Sequence, residues 1–166
     1  MSKYITIPLS KGYETIVSIE DADLASLTWY ALYGKGSKPY AVRNNPLKTP
    51  SHITLHRTIA CRIYGELLIN GMQVDHIDGN SLNNKRENLR LATQAQNSSN
   101  SQGQKRQVDR GYLKGAHYHK RNKYWSSSIT VNGVNIHLGT FKSMEEAHEA
   151  YKTAAIKYFG EFARWD

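Results

Sequence analysis

Gln73-Val74-Asp75-His76-Ile77-Asp78-Gly79-Asn80 is followed, after a polar interval, by Asn88-Leu89-Arg90-Leu91-Ala92-Thr93 and then Gln94-Ala95-Gln96-Asn97. An acid directly before a histidine, with an Asp-Gly turn after it, can present a metal ligand and a base side by side. Thr93 with Gln96 forms a capping box, which sets Asn97 in the first turns of a helix. The order implied is strand, long loop, strand, helix. Asp75 and His76 fall at the end of the first strand, and Asn97 on the helix packed across it. Taken singly these residues are ordinary: an Asp-His pair can be a capped turn, Asn88 a loop residue, Asn97 a helix-surface residue. The information lies in their combination and spacing.

Upstream, residues 4–19 alternate as strands around a turn at Ser10-Lys11-Gly12, and a short acidic helix is expected from Glu20 to Leu27. Further strand-like pieces stand at Trp29–Tyr33, Tyr40–Arg43 and His52–Leu55, separated by Gly-, Lys- and Pro-rich turns. His56 to Tyr64 reads as a helix ended by Gly65. Downstream, Lys114–His119, Tyr124–Val131 and Val134–Phe141 read as three strands. Asn132-Gly133 is a two-residue hairpin signal, because both turn positions need positive φ. Ser143-Met144-Glu145-Glu146 is a second capping box. After it Ala147, Ala150, Tyr151, Ala154, Ala155 and Tyr158 share one helical face of mostly small residues, suited to lying close on a sheet. Asn97 to Gly111 is polar and reads as a linker ordered on a partner.

The 166 residues suit one domain or two small ones. With 22% charged and 39% hydrophobic residues, a folded soluble chain is expected. No apolar run approaches the roughly 18 residues of a membrane span, and Met1-Ser2-Lys3 opens no signal peptide, so a cytoplasmic, intracellular protein is expected. Cys61 is the only cysteine, which excludes an internal disulfide and a thiolate-rich structural zinc site. The net charge is +8, unevenly spread. Residues 1–50 are nearly balanced, whereas residues 98–142 hold eight basic side chains against Asp109 alone. Such a stretch attracts phosphate backbones. A solvated basic face is the plainer alternative, and an anionic membrane surface lacks the basic amphipathic helix it would need.

The run from Asp75 to Asn97 resembles the HNH nuclease motif, in the variant of phage and intron-encoded homing-type enzymes. His76 matches the first H, Asn88 the middle N, and Asn97 stands where the last H would be, a replacement familiar in the homing-type members. The resemblance implies that Asp75 and Asn97 bind the metal and that His76 activates water. It also implies that Asn88 holds the loop and hydrogen-bonds His76 or its backbone, orienting the ring. An asparagine carbonyl suits a hard cation and not zinc, so magnesium is expected, with manganese able to substitute. The His56-Arg57 pair upstream also recurs in this family, with its role left open.

A second resemblance covers the C-terminal third. Lys114-Gly115-Ala116-His117, Tyr124-Trp125, Leu138-Gly139-Thr140-Phe141, Glu145-Glu146-Ala147 and Ala150-Tyr151 to Ala154-Ala155 look like an APETALA/ethylene-response-factor (ERF) DNA-binding domain. That family lays a three-stranded sheet in the major groove with one helix behind it. The matching positions hold Lys114, His117, His119, Lys123, Trp125 and His137, with Arg121 in a loop one residue longer. Arg106 and Arg110 in the linker are expected to join them on DNA. Histidines where the family has arginines weaken bidentate guanine contacts, so no target sequence carries over. Trp125 reads equally as core.

The sequence therefore predicts an α+β chain: a small N-terminal antiparallel sheet, a ββα-metal (HNH) nuclease core, and a C-terminal three-stranded sheet packed on one helix. The segments are 1–55, 56–100, a basic linker at 101–111, and 112–166. The expected function is site-selective cleavage of double-stranded DNA with a divalent metal. The rival reading is a DNA-binding transcriptional regulator with an inactive HNH domain. Target site, strand count and oligomeric state are not legible.

Overall fold

The computed structural model describes residues 2–33, 38–99 and 111–165. The chain forms two compact units, Met1–Ala92 and Thr93–Asp166.

In the first unit, β1 (Tyr4–Pro8) and β2 (Glu14–Ser18) form an antiparallel hairpin whose tight turn carries Lys11 and Gly12 at positive φ. A sheet of β3 (Tyr30–Leu32), β4 (Tyr40–Asn44) and β5 (His52–Thr54) follows, then α1 (Leu55–Tyr64) and α2 (Glu66–Ile69). The chain returns as β6 (Gln73–His76), crosses to the two-residue β7 (Asn83–Asn84), and runs back along β6 as β8 (Leu89–Ala92). β7 lies parallel to β2, with Ile16 opposite Asn83 and Val17 opposite Asn84.

Helix α1 forms because Leu55 and Ile59, one turn apart, share a buried face with Ile63, and Gly65 at φ 83° ends it. That face joins Ile7, Val17, Leu24, Trp29 and Leu89 in one core. The N-terminal strands and the nuclease hairpin are therefore one body. The expected boundary at residue 55 is absent, because β5 ends at Thr54 and α1 starts at once. Each half alone would have too little apolar surface to bury. The expected acidic helix after β2 is instead a pair of 3-10 turns over Ile19–Ser26, kinked at Asp21. Asp21 is fully buried, and its carboxylate is engaged rather than solvated: Arg86 grips it through Nε (2.7 Å) and Nη2 (3.0 Å), and Arg62 adds a third contact at 3.1 Å.

The second unit opens with α3 (Gln94–Ser99), where the Thr93 and Gln96 capping box is formed reciprocally. It continues with β9 (Ala116–His119), β10 (Tyr124–Val131), β11 (Val134–Phe141) and α4 (Met144–Phe159). The sheet order is β11-β10-β9, all antiparallel. Asn132 and Gly133 take positive φ at the β10–β11 turn, as the dipeptide predicts. The Ser143 hydroxyl accepts from Glu146 N, capping α4. Ile129 packs with Tyr151, Ala154 and Ala155 beneath the sheet. Gly115, at φ 79°, lets β9 approach so closely that an added Cβ would run into the Tyr151 ring. The order strand, loop, strand, helix is as read, but α3 packs within the second unit, against α4. Among the described residues no helix is long and apolar enough to cross a membrane.

Candidate functional site

Strand β6 delivers Asp75 and His76 to its C-terminal end, and both are buried, at 4% and 6% exposure. Pairing sets Asp75 opposite Arg90 on β8, whose Nε donates to Asp75 Oδ2 at 2.9 Å. This cross-strand ion pair orients the carboxylate and partly offsets its desolvation.

The loop that follows is a lattice of amides around Asp78. Its Oδ1 accepts from Asn80 N (2.8 Å) and Asn88 Nδ2 (3.0 Å), and its Oδ2 from Asn83 Nδ2 (2.7 Å). Burial pushes the Asp78 carboxyl up, but these donors outweigh it and hold it below its ordinary value. Asn88, nearly buried, also accepts from Asp78 N and donates to Asn83 O, while its own carbonyl takes Ile77 N. Asn88 thus ties Asp78 and Asn83 together within the loop. The side-chain contact that fixes the His76 ring comes from a residue the sequence did not single out.

That residue is Asn84. Its Oδ1 stands 3.1 Å from His76 Nε2, and its Nδ2 donates to Thr15 Oγ1 at 2.7 Å. The Thr15 hydroxyl spends its own hydrogen on Leu82 O at 2.7 Å. Thr15 must therefore accept from the amide, which turns the Asn84 oxygen toward His76. Nε2 carries the ring proton, and the basic lone pair of the neutral imidazole is on Nδ1. Burial lowers the His76 pKa, despite the raising effects of Asn84, Asp78 and Asp75. The ring is neutral at pH 7, as a base must be.

Two further side chains from outside the motif reach His76. The half-buried His56 ring, on α1, sits edge-on at 5.3 Å between centroids, and Tyr40 at the start of β4 lies 5.4 Å from His56 and 6.2 Å from His76. Burial lowers the His56 pKa to about 3, with His76 and Arg57 adding to the shift. Lys38 donates to Gly79 O in the Asp78 loop at 2.7 Å. Arg57 points elsewhere, capping Ile69 O and Met72 O at the turn into β6. No local pattern marks Asn84 or Tyr40, because each meets the site through pairing between distant segments.

In the second unit, strand alternation sorts the expected DNA contacts. His117, His119, Tyr124, Ser126, Ser128 and His137 share the face away from α4, with His119 stacked on Tyr124 at 4.5 Å and bonded to Ser126. Burial and the neighbouring His119 lower the His117 pKa. Arg121 and Lys123 stand exposed in the β9–β10 turn. Trp125, half-buried, falls on the opposite face with Ser127 and Ile129, edge-on to Tyr112 and tilted against Tyr118. Lys114 donates to Arg164 O at 2.7 Å and lies over the Tyr151 ring, a structural tie. Arg106 and Arg110 lie outside the described residues. Asn97 is on α3, with its amide bonded to Thr93 O.

Residues 54–99 match a family model described as HNH endonuclease. Over 154 residues the chain is 32% identical to an uncharacterized HNH endonuclease of Acanthamoeba polyphaga mimivirus, covering 92% of this chain and 74% of that protein. It is 34% identical over 95 residues to Protein 3.8 of Escherichia phage T7, covering 57% of this chain and 76% of that one. No solved structure matches the chain. A matched span that runs from the end of β5 through the Asp75-His76 hairpin to α3, within a relationship covering most of both chains, places this protein among the HNH endonucleases.

Proposed function

We propose that this DNA endonuclease is a site-selective, homing-type enzyme in which His76 is the general base and the C-terminal sheet directs it to its target. The observation that carries the reading is His76 itself, buried at the end of β6 and held by Asn84 in the tautomer that leaves Nδ1 basic. In hydrolysis, His76 Nδ1 takes a proton from water as the water oxygen bonds to phosphorus and the phosphorus–oxygen ester bond breaks. The leaving oxygen is protonated from solvent. As charge appears on His76, the Asn84 carbonyl and the Asp75 and Asp78 carboxylates favour it.

The donor chemistry suits a hard divalent cation. The candidate donors, Asp75 and Asn97, are oxygens, the chain has one cysteine, and no group of three His, Cys, Asp or Glu capable of holding a metal occurs among the described residues. Magnesium, which keeps several waters and takes phosphate oxygens as ligands, accepts so sparse a set better than zinc does. Held by such oxygen donors, it would supply electrostatic stabilisation of the developing charge on the phosphate and leaving oxygen. Arg90 keeps Asp75 in place, and Asn88 ties the loop beside His76 through Asp78 and Asn83.

The outer sheet face of the second unit supports the DNA-binding role. It offers imidazole and hydroxyl groups without a carboxylate, and the exposed Arg121 and Lys123 flank it.

The test is incubation of the purified full chain with its neighbouring genomic DNA and magnesium, mapping breaks strand by strand, beside His76→Ala. Cleavage should fall by about 10²–10⁴-fold in the variant while DNA affinity stays nearly unchanged. Binding without breaks by the parental protein, at any magnesium or manganese concentration, supports the regulator reading instead. Asn97→Asp should keep more activity than Asn97→Ala across a magnesium titration; equal activity of the alanine variant and the parent at limiting metal removes Asn97 from the ligand set.

A further inference from the structure

Between Leu24 and Gly65 the chain carries six lysines and arginines and no aspartate or glutamate. This cationic block folds as β3, β4, β5 and α1. Part of its charge is spent inside the unit: Arg57 binds Ile69 O and Met72 O, Arg62 pairs with Asp21 and Asp23, and Arg43 lies over the Trp29 ring. Lys35 falls outside the described residues. Lys38 and Lys48 are exposed, the first just before β4 with its contact to Gly79 O, the second in the β4–β5 connection. Register then sorts the strands between them. Ala31 and Ala41 are paired and buried in the core, so the other face of this sheet points away from it. That outer face carries Tyr40, then Tyr30 opposite Val42, then Asn44 opposite His52. Tyr30 donates its hydroxyl to Asn44 Oδ1 at 2.6 Å and meets the His52 ring edge-on at 6.1 Å. Tyr40, at the near end, lies 6.2 Å from the His76 ring. The row thus starts beside His76 and follows β4 for about 13 Å, the length of four strand residues.

We propose that this outer face, Tyr40, Tyr30, Asn44 and His52 with Lys38 and Lys48 at its two ends, is a DNA-contact surface of the first unit that seats the duplex on one side of the scissile phosphate. This rests on the reading of His76 as the base. A phosphate attacked from His76 belongs to a strand that continues past it. A row of about 13 Å matches about four base pairs at 3.4 Å each. The side chains suit that backbone, since Tyr, Asn and Lys are among its usual partners and no carboxylate on these strands repels it. Asn44 accepts from Tyr30 through its oxygen, so the hydrogens of its amide nitrogen are the end that suits a phosphate oxygen. Contacts of this kind set position and carry no sequence information. The face governs how precisely DNA is seated at His76, not which DNA is chosen.

The experiment uses the full chain with Lys38→Ala, Lys48→Ala, both together, Tyr40→Ala and Asn44→Ala, beside His76→Ala. Duplex binding is titrated against salt, single-turnover cleavage is timed at saturating DNA, and melting checks folding. Hydroxyl-radical footprints are taken in the His76→Ala background, where the DNA stays intact. They should show about four base pairs protected to one side of the break mapped for the parent. Each lysine substitution should lower the slope of log K against log salt by about one, equally on target and unrelated DNA. The double lysine variant and Tyr40→Ala should lose the flanking protection, keep the rest of the footprint, and cleave about 10- to 10²-fold more slowly, the scale of a misplaced reacting group. An unchanged salt slope in the double lysine variant, or flanking protection that survives it, overturns the proposal. Both lysines are exposed, so that variant decides even where Tyr40→Ala or Asn44→Ala fails to fold. His76→Ala separates the two readings. If it cleaves at the parental rate, the base assignment falls, and the salt slope alone still tells whether this face meets DNA. An inactive His76→Ala beside an unchanged slope in the double lysine variant sinks only the contact surface.

Discussion

In the first unit the candidate catalytic side chains are buried and tied to partners far along the chain, while in the second the candidate DNA contacts stand on a solvent face and many of the shaping ties run between near neighbours. Asn84 reaches His76 and also Thr15, 69 residues away, and Asp21 is gripped by Arg86 from 65 residues away. In the second unit the ties that shape the fold are a two-residue turn, a Ser143 cap three residues from its donor, and cross-strand neighbours. The contrast fits the proposed division of labour. A base needs one orientation and one protonation state, and both come from burial among fixed partners. A groove-reading face needs exposed side chains on a rigid platform.

The sharpest way to break the contrast is Asn84→Ala. It removes the acceptor that selects the His76 tautomer and leaves the Thr15 hydroxyl without its amide donor. Single-turnover cleavage should fall by about 10²-fold, part of the full contribution of a general base. The buried polar loss should lower stability by about 1–3 kcal/mol, and DNA Kd should barely move. A rise in Kd matching the fall in rate would show that the first unit's polar network also carries affinity, and the division of labour would fail.

The second unit can be perturbed alone through Gly115→Ala. The new methyl group meets the Tyr151 ring, and the backbone must hold φ near 79° with a side chain attached. Strain and overpacking together should destabilise that unit by about 3 kcal/mol. Hydrogen exchange should then show lost protection over residues 116–159 and unchanged protection in β1, β2, α1 and the β6–β8 hairpin. Equal loss in both would mean that the two units unfold as one.

The same contrast explains what was legible in the sequence. The second unit's three strands and helix are as read, because the Asn-Gly turn, the capping box and the small-residue face are signals within a few residues of the structure they specify. Helix α1 and the Asp75-His76 hairpin were readable for the same reason. Asn84 was not, since its importance arises from a parallel pairing with β2 that no local pattern announces. Nor was the unity of residues 1–92: a shared core of Ile7, Val17, Leu55 and Leu89 is a tertiary fact. Trp125 shows the limit of resemblance. The resemblance names the position, but which face of the sheet the side chain takes depends on register, and register puts it with Ser127 and Ile129.

The pH dependence of stability should sharpen the first half of the comparison. His56 has its pKa lowered to about 3 in the folded protein, and His76 is lowered too, both chiefly by burial. The unfolded chain therefore takes up protons near pH 6.5 that the folded chain refuses, so stability falls as pH drops below 6.5 and continues to fall toward 3. For His56 alone the loss between pH 7 and pH 5 is about 2 kcal/mol, and His76 adds in the same direction. Urea unfolding of the first unit at the two pH values measures it. His56→Phe should flatten the slope, and an unflattened slope would place the proton uptake elsewhere.

The smallest effect belongs to the exposed turn of the second unit. Arg121 and Lys123 sit in the β9–β10 connection with their side chains exposed. If they meet DNA phosphates, each releases about one counterion on binding, and each alanine substitution should reduce the slope of log K against log salt by about one. The loss in affinity should be several-fold at low salt and shrink as salt rises, where such contacts already contribute little. His117→Ala and His137→Ala differ in kind: contacts from the sheet face to base edges should change the preference among DNA sequences more than the salt slope. Titrating all four variants against target and unrelated DNA at several salt concentrations separates the two behaviours. A salt slope that survives loss of both Arg121 and Lys123 would move the phosphate contacts out of this turn, and with them the argument that this edge of the sheet faces DNA.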